Sequence, residues 1–398
     1  MRQTVDLTFA QAQPLGRKHI ADNLTVATYT PEALRPKRHI IRDGLQTLLY
    51  PCRKFQNPDL ETGELRVISE FSINACGRIV RGEKVAVYQN GEVIGTSGST
   101  KCGNAWSCPF CSAKIMRMRG DQISEIFEKH HATGGSAVMV TWTASNSIDK
   151  KLAETVNHFK DAYRFARKGR PYRNLTKNIL AGEITAFEIT YNDRNGWHPH
   201  FHSVLFIKKC VEINDMFIET LADSLFLIWE SASNKHGLKT LKYFKGRRVG
   251  IDVRRAWDAS EYLTKFNKER DWSLSAEMTA GRLKGSKGGS VTPLTIMELA
   301  IVHGRSSKYF DLTLEFLRAT KGKAIISLKG AKKLLAELDI PLTFDDYADA
   351  NKPGEGVILG YLDKETYYSH MKHGGMGRVL EMARIGNFHA VKIQPQEF

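Results

Sequence analysis

No stretch of roughly 18 consecutive apolar residues occurs in this 398-residue chain, so a membrane-spanning helix is not expected. The opening segment MRQTVDLTFAQAQPLGRK has no apolar core of the signal-peptide kind, and the expected location is cytoplasmic. No Gly-x-x-x-x-Gly-Lys phosphate loop is present, which argues against an attached nucleotide-driven motor. Acidic residues are in deficit: 43 Asp plus Glu face 58 Lys plus Arg, a formal charge of +15. Such an excess suits a polyanionic partner, nucleic acid first among them. Cysteine is scarce at six residues, and in a reducing compartment these suggest metal or free thiols rather than disulfides.

Most of that cysteine is patterned. Cys102, Cys108 and Cys111 lie in KCGNAWSCPFC, and Cys76 lies in NACGR. The intervening EKVAVYQNGEVIGTS reads as a hairpin turning at Asn90-Gly91, which would return the chain towards Cys76. A Cys-x-x-Cys knuckle with two further thiols meets the tetrahedral preference of structural Zn²⁺. Cys52 competes with Cys76 for the fourth position, and buried or redox-active thiols are the plainer alternative. Lys114, Arg117 and Arg119 follow on an expected helix and could grip a DNA backbone.

The middle of the chain orders readily. AVMVTWTA (137–144) is β-branched and short, as a strand is. Leu152, Val156, Phe159, Tyr163 and Ala166 then repeat at helical spacing. EITAFEITYN and HPHFHSVLFI are two strands around the turn-rich DRNGW. A second helix carries Phe217, Leu221, Leu225 and Ile228, and a strand follows around RRVGIDVRR. The order β-α-β-β-α-β is the ferredoxin-like pattern, an α+β antiparallel sheet with both helices on one face and the other face free for a ligand.

Within that frame, HPHFH places His198, His200 and His202 on one face of one strand. A solvent-facing polar stripe would look the same. Pairing around the Asp193–Gly196 turn, however, sets Glu188 opposite Phe201 give or take one residue, within reach of His200 and His202. Two imidazoles and a carboxylate suit a divalent cation: Mg²⁺ or Mn²⁺ where the substrate brings phosphate oxygens, with Zn²⁺ or Fe²⁺ using similar sets. Further on, WDASEYLTKFNKER reads as a helix on which Asp258, Tyr262 and Lys265 share a face. They could act as proton acceptor, attacking hydroxyl and phosphate clamp. A structural reading competes, with Asp258 and Glu261 as a capping box and Trp257 packed on Tyr262 as a staple. Between Lys235 and Arg255 eight Lys or Arg oppose one acid, Asp252; Lys242, Lys245, Arg247, Arg248, Arg254 and Arg255 are candidates for DNA contact, against the alternative of a solvated face.

EITYNDRNGWHPHFHSVLF followed by ASEYLTKF resembles the rolling-circle replication initiators of small plasmids, single-tyrosine members of the HUH endonuclease superfamily. VMVTWT looks like the family's first motif and CGNAWSCPFC like its cysteine segment. TPLTIMELA and FLRATKGKAIISLKGAKKLLAEL are similar to its downstream helical region, so the resemblance spans roughly residues 100–340. It implies His200 and His202 as metal ligands, Glu188 at a ligand-like position, Tyr262 as nucleophile and Lys265 as motif lysine. The family has a glutamate four residues before its tyrosine, where this chain has Asp258, with Glu261 a rival for the hydrolytic role. The implied activity is metal-dependent, site-specific nicking and rejoining of single-stranded or extruded origin DNA through a 5′-phosphotyrosyl intermediate. Host helicase and polymerase are the implied partners.

Four regions are expected: an N-terminal segment 1–70 without functional signal, a cysteine-rich, zinc-ribbon-like module 71–131, a catalytic domain 132–272 and a mainly helical region 273–398. A single-tyrosine transposase or relaxase, and a non-catalytic zinc-containing DNA-binding regulator, are the competing functions.

Overall fold

The computed structural model describes residues 31–55, 67–90, 93–256, 290–343, 345–346, 356–372 and 376–387. The elements run α1 (Pro31–Leu49), β1 (Arg53–Phe55), β2 (Val67–Ser69), β3 (Lys84–Asn90), β4 (Val93–Ser97), α2 (Pro109–Ala132), β5 (Ser136–Trp142), α3 (Leu152–Lys168), α4 (Arg170–Thr176), β6 (Leu180–Asn192), β7 (Gly196–Ile207) and α5 (Asp215–Lys235). They continue with β8 (Tyr243–Phe244), β9 (Arg247–Arg248), β10 (Ile251–Ala256), α6 (Pro293–His303), α7 (Lys308–Thr320), β11 (Ile326–Ser327), α8 (Lys332–Glu337), β12 (Val357–Asp363), α9 (Lys364–Lys372) and α10 (Met376–Arg384). None of the described helices is long and apolar enough to cross a membrane.

The centre is a five-stranded sheet in the order β10-β5-β7-β6-β11, antiparallel at every pairing. Its first four strands by sequence, β5, β6, β7 and β10, with α3 between the first two and α5 between the last two, follow the expected β-α-β-β-α-β order. Helix α3 forms because Leu152, Val156, Phe159, Tyr163 and Ala166 recur every three or four residues, and all five are buried. Its apolar stripe meets the sheet through Phe201, whose ring lies 4.1 Å from that of Tyr163 and 5.6 Å from that of Phe159. Helix α5 joins the same layer through Trp229, fully buried against Trp142 and Phe159.

The opposite sheet face is not wholly free. Helix α2 packs across its far end, where His130 meets Phe206 edge-on and its Nε2 lies 2.9 Å from the Ile207 carbonyl. The expectation of an open second face therefore holds over only part of the sheet. The burial of β7 records the boundary: His198 and His200 are half-buried, whereas every residue from Phe201 to Ile207 is buried. Alternation survives where one face is covered and vanishes where both are.

The expected hairpin forms, with Asn90 paired to Val93. The region read as mainly helical completes it: β12 pairs with β3, giving the order β12-β3-β4. Leu362, Tyr367, Met376, Val379 and Ala383 pack with Val85, Val87 and Ile94 into a second, smaller core. The β3–β4 hairpin and residues 356–387 thus share one hydrophobic cluster, whereas Cys76, Trp106 and helix α2 pack into the main core.

Candidate functional site

The hairpin β6–β7 turns at residues 193–195 and pairs Glu188 with His200, one position from Phe201 and inside the expected tolerance. Glu188, His200 and His202 point to the same face because paired residues and alternate residues share a face. Glu188 Oε2 lies 3.1 Å from His200 Nε2 and 3.2 Å from His202 Nε2. One ligand atom from each of the three residues falls within 4.8 Å of the others, a group that could hold a metal ion. Burial alone would raise the Glu188 carboxyl; the two histidines overcome it and hold the group well below the usual carboxylate range. The carboxylate is thus kept in the ionised form that a cation requires.

The far side of each imidazole suits ligation through Nε2. That mode needs the ring proton on Nδ1, and each Nδ1 has an acceptor: Thr141 Oγ1 at 3.2 Å for His202, and the His198 carbonyl at 3.4 Å for His200. Thr141 comes from β5, where it pairs directly with His202. His198 is held differently, with Nδ1 3.1 Å from Asn146 Oδ1. Burial first, then the neighbouring His200, lowers its pKa to about 4, so the ring is neutral near pH 7. The sequence reading passed over Thr141 and Asn146. A usable signal was present for Thr141, a hydroxyl alternating with Val140 and Trp142 in an otherwise apolar strand.

The second candidate group comprises Cys76, Cys102, Cys108 and Cys111. Their sulfurs approach at 3.5 Å (Cys76–Cys108), 3.8 Å (Cys76–Cys111) and 3.7 Å (Cys102–Cys111). Cys52, the rival fourth thiol, lies outside this group. One Cys-x-x-Cys knuckle and two separate thiols converge on a helix start. Cys108 caps α2, its sulfur accepting from the Cys111 amide, so both thiols sit at the positive end of the helix. Cys76 and Cys102 each precede a glycine with positive φ, +73° at Gly77 and +63° at Gly103, a backbone state that a side chain would strain. Trp106 in the intervening loop ties the group to the main core, meeting Phe187 and Phe316 edge-on and donating its indole hydrogen to the Lys323 carbonyl at 2.6 Å.

Asp258, Glu261, Tyr262 and Lys265 lie outside the described residues. The six basic candidates are all described, and the structure divides them. Lys242 pairs with Asp223, Arg248 with Glu219 and Asp223, and Arg255 with Asp215. These three acids stand at i, i+4 and i+8 of α5. Arg254 pairs with Asp252 at 2.7 Å on the histidine face, since Asp252 is matched with Thr141 across the sheet. Lys245 and Arg247 have no ion pair among the described residues. The local surplus of eight bases over one acid is therefore partly neutralised by a helix distant in sequence.

Residues 97–219 match the model of a family described as replication protein. This agrees with the resemblance to plasmid replication initiators carried by the histidine and cysteine motifs. The chain is 26% identical over 327 residues to a protein named "Protein rep" from Streptomyces lividans, covering 66% of this chain and 71% of that one. A "Protein rep" from Lentilactobacillus hilgardii is 24% identical over 169 residues, 40% of this chain and 49% of its own length. A "Neomycin resistance protein" from Streptomyces cyanogenus is 27% identical over 135 residues, 28% of this chain and 31% of its own. No solved structure matches the chain.

Proposed function

We propose that this protein initiates and terminates rolling-circle replication by nicking and rejoining one strand of its own origin. In this reading the central sheet is a ferredoxin-like HUH module. The observation that carries the proposal is the convergence of Glu188, His200 and His202 on the uncovered end of that sheet. Two nitrogens and one ionised oxygen with further positions open are a fitting donor set for Mg²⁺ or Mn²⁺ that shares its ligands with phosphate. Bound there, such a cation would supply Lewis-acid polarisation of the scissile phosphate. The four thiols fit Zn²⁺ in a structural role.

The chain's own residues perform the rest. The Tyr262 hydroxyl attacks phosphorus; a P–O bond to tyrosine forms and the P–O3′ bond breaks. The tyrosine proton is lost, and the departing oxygen takes up a proton to become a free 3′-hydroxyl, the primer for the host polymerase. Lys265 holds the phosphate, and Asp258 accepts the proton of the water or hydroxyl that later releases the tyrosine. Arg254, on the histidine face, lies where the backbone of a bound strand would cross. The substrate is single-stranded or extruded DNA, because a site on a sheet surface does not reach a phosphate within stacked duplex.

The test is incubation with single-stranded oligonucleotides tiling the parent replicon in the presence of Mn²⁺, followed by denaturing electrophoresis. A denaturation-resistant protein–DNA adduct is expected from the wild type. His200→Ala and His202→Ala should form none while still binding origin DNA, because their positive surfaces remain. Full adduct formation by both variants would remove the metal site from the mechanism. Origin binding without any wild-type adduct would leave a DNA-binding regulator instead.

A further inference from the structure

Between α5 and β10 the chain makes a small antiparallel ribbon, β8 paired with β9 as Tyr243 to Arg248 and Phe244 to Arg247. Its two-residue turn, Lys245-Gly246, has φ of +50° and +74°, both positive as a type I′ turn needs. The ribbon is otherwise an energetic oddity. Tyr243 is 51% and Phe244 56% exposed, on strands only two residues long. A pair of aromatic rings held in water on so short a ribbon does not stabilise the core.

The ribbon is nevertheless fixed in place. Opposed residues share a face, so Tyr243 and Arg248 lie on the side towards α5, where Arg248 reaches Glu219 and Asp223. Arg248 and then Lys242 lower the Asp223 carboxyl. The base is anchored too: the Thr143 hydroxyl donates to the Val249 carbonyl, and the Ser145 amide donates to the Lys239 carbonyl at 2.7 Å. On the other side stand Phe244 and Arg247, with Lys245 at the tip and its ammonium 5.7 Å from the Phe244 ring. Of the six candidate bases, Lys245 and Arg247 are the two with no ion pair among the described residues.

The position fits the proposed reaction. Ile251, just past the ribbon, pairs with Trp142, which pairs with Phe201 beside His200 and His202. The ribbon base is therefore about two strand spacings, roughly 10 Å, from the histidine strand. The segment 143–146 that anchors it also carries Asn146, the partner of His198.

Resting on the nicking function proposed above, we infer that the ribbon 243–248 grips unpaired DNA next to the nick: the exposed face of Phe244 stacks on a base while Arg247 and Lys245 contact the flanking phosphates. Stacking on an aromatic ring tolerates any sequence and requires an unpaired base, so the grip distinguishes single strand from duplex. Arg248 is the clamp that positions the ribbon rather than a contact to DNA.

The experiment uses the full chain carrying Tyr262→Phe, without added Mn²⁺, so that binding is read apart from cleavage. Fluorescence anisotropy of a labelled single strand of mixed sequence is compared with that of its duplex. Phe244→Ala should weaken single-strand binding about ten-fold, the loss of one stacked base, and leave duplex binding unchanged. Phe244→Trp should retain affinity, which guards against a folding artefact. Arg247→Ala should reduce the salt slope by about 0.7 of a unit, one phosphate contact. Unchanged single-strand affinity in Phe244→Ala overturns the inference, and equal weakening on both probes replaces it with a duplex contact. If Phe244→Ala binds DNA normally but otherwise wild-type protein still forms the tyrosyl adduct, the grip is wrong while the nicking stands. Absence of the adduct alongside the expected binding pattern has the opposite meaning.

Discussion

Thr141 stands behind one of the candidate metal ligands, His202. Its hydroxyl lies 3.2 Å from His202 Nδ1, where it can accept the ring proton that ligation through Nε2 would require. Thr141→Val keeps the β-branched shape and removes that acceptor. Calorimetric titration with Mn²⁺ should show affinity falling about ten-fold or more with little change in stability, and unaltered affinity would return Thr141 to a packing role. Tyr262 is tested by Tyr262→Phe, which preserves the ring. A stapled helix predicts normal nicking; a nucleophile predicts no adduct. Asp258→Asn keeps a competent helix cap, so a structural aspartate tolerates it, whereas a base for release leaves adduct and over-length product accumulating. Normal termination in Asp258→Asn together with stalling in Glu261→Gln would move the hydrolytic role to Glu261.

At the scale of elements, β6 is held from its helix-covered face by a buried polar cluster. Glu183 is 1% exposed and accepts from Tyr163 at 2.7 Å and Tyr172 at 2.8 Å, while Arg167 pairs with it at 2.6 Å. The cluster joins α3 and α4 to the strand that carries Glu188. Glu183→Gln leaves the arginine without its counter-charge and should cost about 2 kcal/mol in denaturant unfolding. Burial, then the Glu183 charge, holds both phenols well above the ordinary tyrosine range. Their folded pKa is raised, so the associated stability is fully present below about pH 10 and is lost as pH rises through the folded values. Unfolding followed between pH 8 and 11 should show an alkaline decline that Tyr163→Phe reduces. These pH limits are about those of ordinary tyrosine titration.

For the whole molecule, the thiol group is the joint between the two hydrophobic clusters. Cys76, Cys108 and Cys111 belong to the main core, and the Gly77 carbonyl beside Cys76 accepts from Tyr367 of the smaller one at 2.5 Å. If the group holds zinc, purified protein should retain about one equivalent, and Cys108→Ser should lose it with a lower Tm, because ligand energy is folding energy. Metal-free protein with an unchanged Tm would leave only buried thiols. Loss of zinc should also loosen the β3–β4 hairpin and with it β12, which amide exchange would register as a shared loss of protection.

Local chemistry made much of this legible before folding. Periodicity alone placed α3, α5 and the strands around HPHFH, because a helix or strand buries one face and must repeat apolar residues to do so. The tight turn after Asn192 limited the register, and so brought Glu188 within one residue of its observed partner. Other features depend on chain segments far apart, which no local pattern encodes. Arg254 and Arg255 are neighbours in sequence, yet one faces the histidines and the other α5. The neutralising acids Asp215, Glu219 and Asp223 lie on a helix outside the basic run. The α2 cover over one end of the second sheet face and the pairing of β12 with β3 also join distant segments. The sequence by itself determined the elements and the donor atoms, since both follow from residue type and spacing. Only the tertiary structure decided which charges remain free and which sheet surface remains open, since those depend on what packs alongside.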